Sequence, residues 1–232
     1  MSVYAGPEIA ESNLVFAIDF NNPKSISGNT LTDMCSRKIP VTLVNASNNT
    51  LTIANGYAQF NPASATTQST YYSIANTYFN DIKNEMTIET CVYVSDYPVG
   101  GNRLISPRIA ETGQSIGFNM GNGAIGYEVN SDGTWRTGTF TVSNTTNNWI
   151  HVTQTTSNSA NVTIVYVNGK KVGERAIPGV LANGGGFLIG RGYYGGVIYS
   201  TGRVSFLKVY DKSLSAAEIQ RNFNATRGRF GI

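Results

Sequence analysis

The sequence is short of charge. Asp, Glu, Lys and Arg make up 13% of its 232 residues, about half their share in an average soluble protein. The net charge of +3 is scattered along the chain, which excludes the clustered basic stripe of a nucleic-acid binder. Histidine is almost missing. His151 stands alone, and with only two cysteines the chain lacks the ligand set of a transition-metal site. No run approaches the roughly 18 apolar residues of a membrane span. The start, MSVYAGPEIAESNLVFAIDF, has neither a basic opening nor a long apolar core, so no secretion signal is expected. Cys35 and Cys91 therefore read as free thiols, with a disulfide as the alternative. Sequons at Asn45, Asn48, Asn144, Asn161 and Asn224 are expected by chance in a chain rich in Asn and Thr, and read as unglycosylated. No Pro- or Ser-rich linker divides the sequence, so 1–232 reads as one domain. Residues 1–13 form an N-terminal extension, and 214–232 a capped helix and tail.

What is present points to strands. Hydrophobic residues reach 41%, enough for a full core, and Asn, Thr, Ser and Gly fill the places left by charge. That mixture favours strands and tight turns over helices. Leu14–Phe20 alternates Leu14, Phe16, Ile18 and Phe20 with other residues, as a strand with one buried face does. Comparable runs are 57–61, 86–94, 115–120, 124–130, 135–142, 149–156, 162–167 and 204–210. Asn168-Gly169 between VTIVYV and KKV predicts a two-residue type I′ hairpin, with both residues at positive φ. Gly121-Asn122-Gly123 and Asp132-Gly133 close two more. Twelve to fourteen antiparallel strands are expected. One helix is specified: Ser215-Ala216-Ala217-Glu218 is a capping box, with Leu214 and Ile219 at the staple positions. Ile219 and Phe223 share its buried face, and it should end near Asn224.

Catalytic groups are hard to assemble from this inventory. Retaining glycoside hydrolysis needs two carboxylates about 5–5.5 Å apart, and the nearest candidates, Glu85 and Glu89, enclose only Met86, Thr87 and Ile88. His151, on a strand with its side chain facing opposite to those of Ile150 and Val152, reads as a satisfied or a surface histidine. No metal or cofactor is expected; calcium through loop oxygens of Asp33 and Asp132 stays open. Gly190-Arg191-Gly192-Tyr193-Tyr194-Gly195 fits G-x-G-x-x-G in form, but GVIYSTG follows it where a dinucleotide site needs a helix. It reads as a loop whose Arg191, Tyr193 and Tyr194 are candidates for contact with a sugar or protein. Tyr71, Tyr72 and Trp135 are further contact candidates that core packing would equally explain. Arg221, Arg227 and Arg229 make the C-terminal stretch basic, as a solvated face or a dock for an acidic neighbour.

Ordered motifs add a family likeness. WIHV, VTIVYVNGKKVG, FLIGRG and GRVSFLKVYDKSLSAAEIQRNF together resemble the C-terminal half of concanavalin A-like domains of the laminin-G type. GPEI, NLVFAIDFNNPKSISGNT, TLTDMCS and MTIETCVYV are similar to the opening of a subgroup found in tailed-phage virion proteins, with Cys91 where that subgroup carries Trp. The resemblance covers most of the chain. It implies an all-β, antiparallel two-sheet jelly-roll sandwich with one short C-terminal helix. Where the hydrolase branch carries E-x-D-x-(x)-E, no such motif stands here. The likeness implies a non-enzymatic virion structural protein: a capsid decoration, head fibre or tail-associated subunit. Its partners would be other virion proteins and copies of itself, without nucleic acid or membrane, and it would reside in the virion after synthesis in the host cytoplasm. The alternative is a carbohydrate-binding adhesin that meets a cell-surface glycan.

Overall fold

The computed structural model describes residues 10–44, 51–61, 69–82, 84–95, 103–107, 116–121, 123–143, 145–179, 181, 186–193 and 197–232. Asn45, Asn48, Asn122, Asn144 and Tyr194 lie outside the described residues.

The large sheet is built from the alternating runs. Its strands stand in the order Lys170–Ala176, Val162–Val167, Trp149–Ser157, Glu85–Val94, Gly202–Tyr210, Tyr57–Phe60, Leu51–Ala54. Leu14–Asp19 pairs with the far half of Gly202–Tyr210, beyond the stretch taken by Tyr57–Phe60. All of these pairs are antiparallel. Opposite lie smaller sheets: Thr42–Val44, Tyr71–Ile74, Phe187–Ile189 and Ile105–Ser106 form one, and Ile116–Gly121, Ala124–Ser131 and Thr134–Thr141 another. This is the expected antiparallel sandwich.

Register explains which residues reach the core. Ile150, Val92 and Val204 lie side by side across the three central strands, as do Gln154, Ile88 and Val209. These face inward, and their apolar members join Phe16, Phe60, Phe79 and Phe187 in one buried cluster. The residues between them face outward: Trp149 beside Tyr93 beside Arg203, and Thr153 beside Glu89 beside Lys208. A bulge between Val204 and Phe206 shifts the phase of the last strand. Sheets of this kind leave one face to water; here the C-terminal helix and tail lie on that face.

The helix runs Ala216–Thr226, two residues past the expected end. Asn222 and Thr226 are buried against the sheet, and Thr226 Oγ1 donates to the carbonyl of Asn222, which ties down the extra half turn. Ser215 Oγ accepts from Glu218 N, and Glu218 accepts from Ser215 N at 2.8 Å, so the capping box is complete. Lys212 and the Ser215 groups hold the Glu218 carboxyl down at about 2. Replacing Ser215 with Ala should cost about 0.5–2 kcal/mol in chemical denaturation; no measurable loss would place the energetic start of the helix elsewhere.

Both predicted two-residue turns have positive φ throughout: Asn168 at 50° and Gly169 at 75°, Asp132 at 49° and Gly133 at 74°. Nineteen strands are present among the described residues, more than expected. The surplus is short, such as Ile26–Ser27, Thr30–Leu31 and Ile105–Ser106, too short for alternation to register. No helix among the described residues is long and apolar enough to cross a membrane.

Candidate functional site

The residues singled out by sequence are dispersed. Arg191 lies against Tyr71, donating Nη1 to its hydroxyl at 2.5 Å with the guanidinium 4.7 Å from the ring centre; Tyr199 lies on another side. This cluster staples the Arg191–Tyr193 strand to the second layer. Tyr72 is in the core at 0% exposure, its hydroxyl donating to the carbonyl of Asn29. Trp135 is half-buried on Thr134–Thr141. Tyr193 ends a strand paired with Val197–Tyr199, so the G-x-G-x-x-G segment opens a strand pair and no helix. Asp33 is committed to the backbone. Its Oδ1 accepts from Ala17 N and Cys35 N, and its Oδ2 from Ile39 N. Among the described residues no group of three His, Cys, Asp or Glu side chains converges on a possible metal. Both cysteines are free. Burial and Asp33 push the Cys35 thiol up to about 12, and burial raises Cys91, so neither is a ready thiolate.

A different place gathers half-buried aromatic rings beside exposed amides. At one end of the outer face, Trp149 opens its strand among three rings: Phe230 at 4.9 Å, Tyr57 at 5.7 Å and Tyr93 at 5.9 Å between centroids. Arg203 is packed between Tyr93 and Tyr57, 4.6 and 4.9 Å from their centres. Arg229 grips Asp19 with both Nη atoms at 2.7 and 2.9 Å and reaches Ser205 Oγ at 3.1 Å. Together Asn21, Asn55, Gly56, Tyr57, Trp149, Arg229 and Phe230 line an open cleft of about 280 Å³. Asn55 and Gly56 form the tip of a hairpin, at φ 52° and 78°. A side chain at Gly56 would run into Asn21 Oδ1 at 2.8 Å, so glycine is what lets the tip approach Asn21.

Two local signals could have pointed to this cleft: Asn55-Gly56 between LTIA and YAQF, the same hairpin dipeptide as at 168–169, and the Arg-Phe pair at 229–230. The assembly of the cleft, however, joins chain positions from 21 to 230, which no local pattern reveals.

Beside the cleft the helix covers a buried polar cluster. The Glu89 carboxylate meets His151 Nε2 at 3.0 Å, Lys208 Nζ at 3.2 Å, Tyr210 Oη at 3.2 Å and Asn222 Nδ2 at 2.7 Å. Asn222 Oδ1 in turn accepts from Ala10 N. Burial alone would raise the Glu89 carboxyl; Lys208 and the bonds from His151 and Asn222 outweigh it and hold the group well below the usual carboxylate range. Glu89 is 0% exposed, so it binds the helix to the sheet and meets no substrate. Glu85, four residues away, is taken up by Ser157, Ser159 and the Ser213 amide. A second buried ion pair, Arg103 with Glu128, lies between the layers. Neither place offers an accessible pair of carboxylates.

The family described as the concanavalin A-like lectin/glucanases superfamily, of laminin-G type, matches residues 64–220, more than half of the chain. No curated protein matches the chain in sequence. Among solved structures, the binding domain of a paraclostridial mosquitocidal protein is 15% identical with a TM-score of 0.67, over 92% of this chain and 52% of that one. The binding domain of botulinum neurotoxin DC in complex with SialylT is 13% identical at 0.69, over 93% and 52%. The same toxin's domain in complex with rat synaptotagmin II is 14% identical at 0.67, over 92% and 52%. The chain spans about half the length of these structures, and at such identities the likeness is one of fold.

Proposed function

We propose that this chain, which belongs to the concanavalin A-like lectin/glucanases superfamily, is a non-enzymatic binding module that takes carbohydrate in the cleft around Trp149. The observation that carries this reading is the composition of the cleft: Trp149, Tyr57 and Phe230 beside the exposed amides of Asn21 and Asn55. Aromatic rings pack against the C–H faces of sugars, and a few fixed polar groups read their hydroxyls. The glycan and protein complexes of structurally similar toxin domains support a binding role. The engagement of Asp19, Glu85 and Glu89 with neighbouring side chains argues against hydrolysis.

Trp149→Ala tests it. The variant should keep its circular dichroism and lose about ten- to hundredfold in affinity for any glycan the wild type retains on an array. Undiminished binding would move the site elsewhere.

A second reading places the module on a phage particle, where it contacts neighbouring subunits. Its support is the sequence likeness of Gly6–Asn29 and of the ending NFNATRGRFGI to virion proteins. Many copies on one particle would also strengthen weak glycan contacts through effective concentration, so the two readings are compatible. Absence of the protein from purified particles would remove this one.

A further inference from the structure

We infer that Asp19 sets the ligand class of the cleft: by holding Arg229 in a two-pronged ion pair, it makes the site select an uncharged pyranoside over a sialylated or otherwise acidic one. The inference rests on the carbohydrate reading of the cleft and narrows it.

Among the described residues, Arg229 is the only charged one that lines the cleft. Its planar fork would otherwise match a carboxylate ligand, and Asp19 occupies it from inside the protein. Nη1 donates to Oδ2 at 2.7 Å, and Nη2 to Oδ1 at 2.9 Å and to Ser205 Oγ at 3.1 Å. Asp19 is itself fixed, because its Oδ1 also accepts from Asn21 N at 2.8 Å. Ser205 is anchored too, by donating to the carbonyl of Gly56. A ligand carboxylate would have to break this fork or lie beside Asp19, charge against like charge.

The other guanidinium at this end of the sheet is committed as well. Arg203 is packed between two aromatic faces and donates Nε to Gln59 at 2.7 Å. What remains for a ligand is uncharged: exposed amides at Asn21 and Asn55 and the rings around Trp149. Amides pair with hydroxyls in either direction, and rings accept C–H faces. That chemistry fits a neutral hexose unit.

The test is an array of glycan pairs that differ only in an acidic cap, such as lactose and 3′-sialyllactose, probed with the full chain and its variants. The wild type should bind the uncapped members. Asp19→Asn frees Arg229 and should gain about tenfold or more on the capped members, and the double variant D19N/R229Q should lose that gain. A wild type that prefers capped members overturns the assignment to Asp19 while leaving carbohydrate binding in place. So does a folded D19N protein with unchanged selectivity. A folded wild type that binds neither member of any pair overturns the carbohydrate reading itself, and this inference with it. A salt series on the wild type gives a check that does not depend on D19N folding: binding of uncharged sugar should be indifferent to ionic strength, and a steep fall with added salt would contradict it.

Discussion

Replacing Glu89 with alanine should destabilise the protein by about 3–5 kcal/mol, the usual result of removing one partner from a buried ion pair. The carboxylate receives Lys208, His151, Tyr210 and Asn222 together, and its loss strands Lys208, itself almost fully buried. Three of these partners, Lys208, His151 and Tyr210, belong to the central strands and Asn222 to the helix, so the damage should concentrate where helix meets sheet. Urea denaturation reads the loss, and hydrogen exchange should show the helix Ala216–Thr226 opening first. The milder Glu89→Gln keeps the shape and some hydrogen bonds, and provides a folded protein should alanine prevent folding. Because the helix carries Arg229 and Phe230 to the cleft, both variants should also weaken ligand binding. If the urea midpoint stays within error for both, the cluster contributes nothing net.

The same carboxylate predicts the response to acid. Its folded value lies below the ordinary 4.5, so the folded state favours the ionised form. Stability from this source is present above about pH 4.5 and is lost as the pH falls below it toward the folded value. Denaturation midpoints should therefore drop on acidification from about pH 5, and by less in Glu89→Gln.

Gly202→Ala is the second large effect, expected on the order of 3–5 kcal/mol by chemical denaturation. Gly202 opens the central strand at φ +150°, between Val94 on one side and Phe60 on the other. A Cβ there would sit 2.5 Å from the carbonyl oxygen of Tyr93 and 2.8 Å from Leu104 Cδ1. The oxygen belongs to a backbone held in the sheet, so it cannot swing aside as a flexible side chain would. Relief would have to come from separating the strands, which would pull Arg203 from between Tyr57 and Tyr93 and loosen the aromatic end of the cleft. A loss under about 1 kcal/mol would show that the strand yields more easily than close packing implies.

Local rules made most of the architecture legible. Alternation of period two located the long strands because each depends only on neighbours two residues apart. The capping box at Ser215 and the turn at Asn168-Gly169 are likewise decided within four residues. The short strands escaped because two or three residues carry no period. Among the proposed contacts, Tyr72 lies in the core, whereas Tyr71 and Arg191 are half-buried against each other; an aromatic residue looks the same in a sequence whether a core or a ligand covers it.

The sequence alone thus determined the antiparallel sandwich, its principal hairpins, its one capped helix and the absence of a hydrolase carboxylate motif. The tertiary structure decided what the outer face does. Glu89 and His151 are 62 positions apart and Glu89 and Asn222 are 133 apart, and they meet only because strand register and helix docking bring them together. Arg229 finds Asp19 across 210 positions. Such partners are chosen by the packing of whole elements, and the residues at either end of the chain bear no local mark of the pairing.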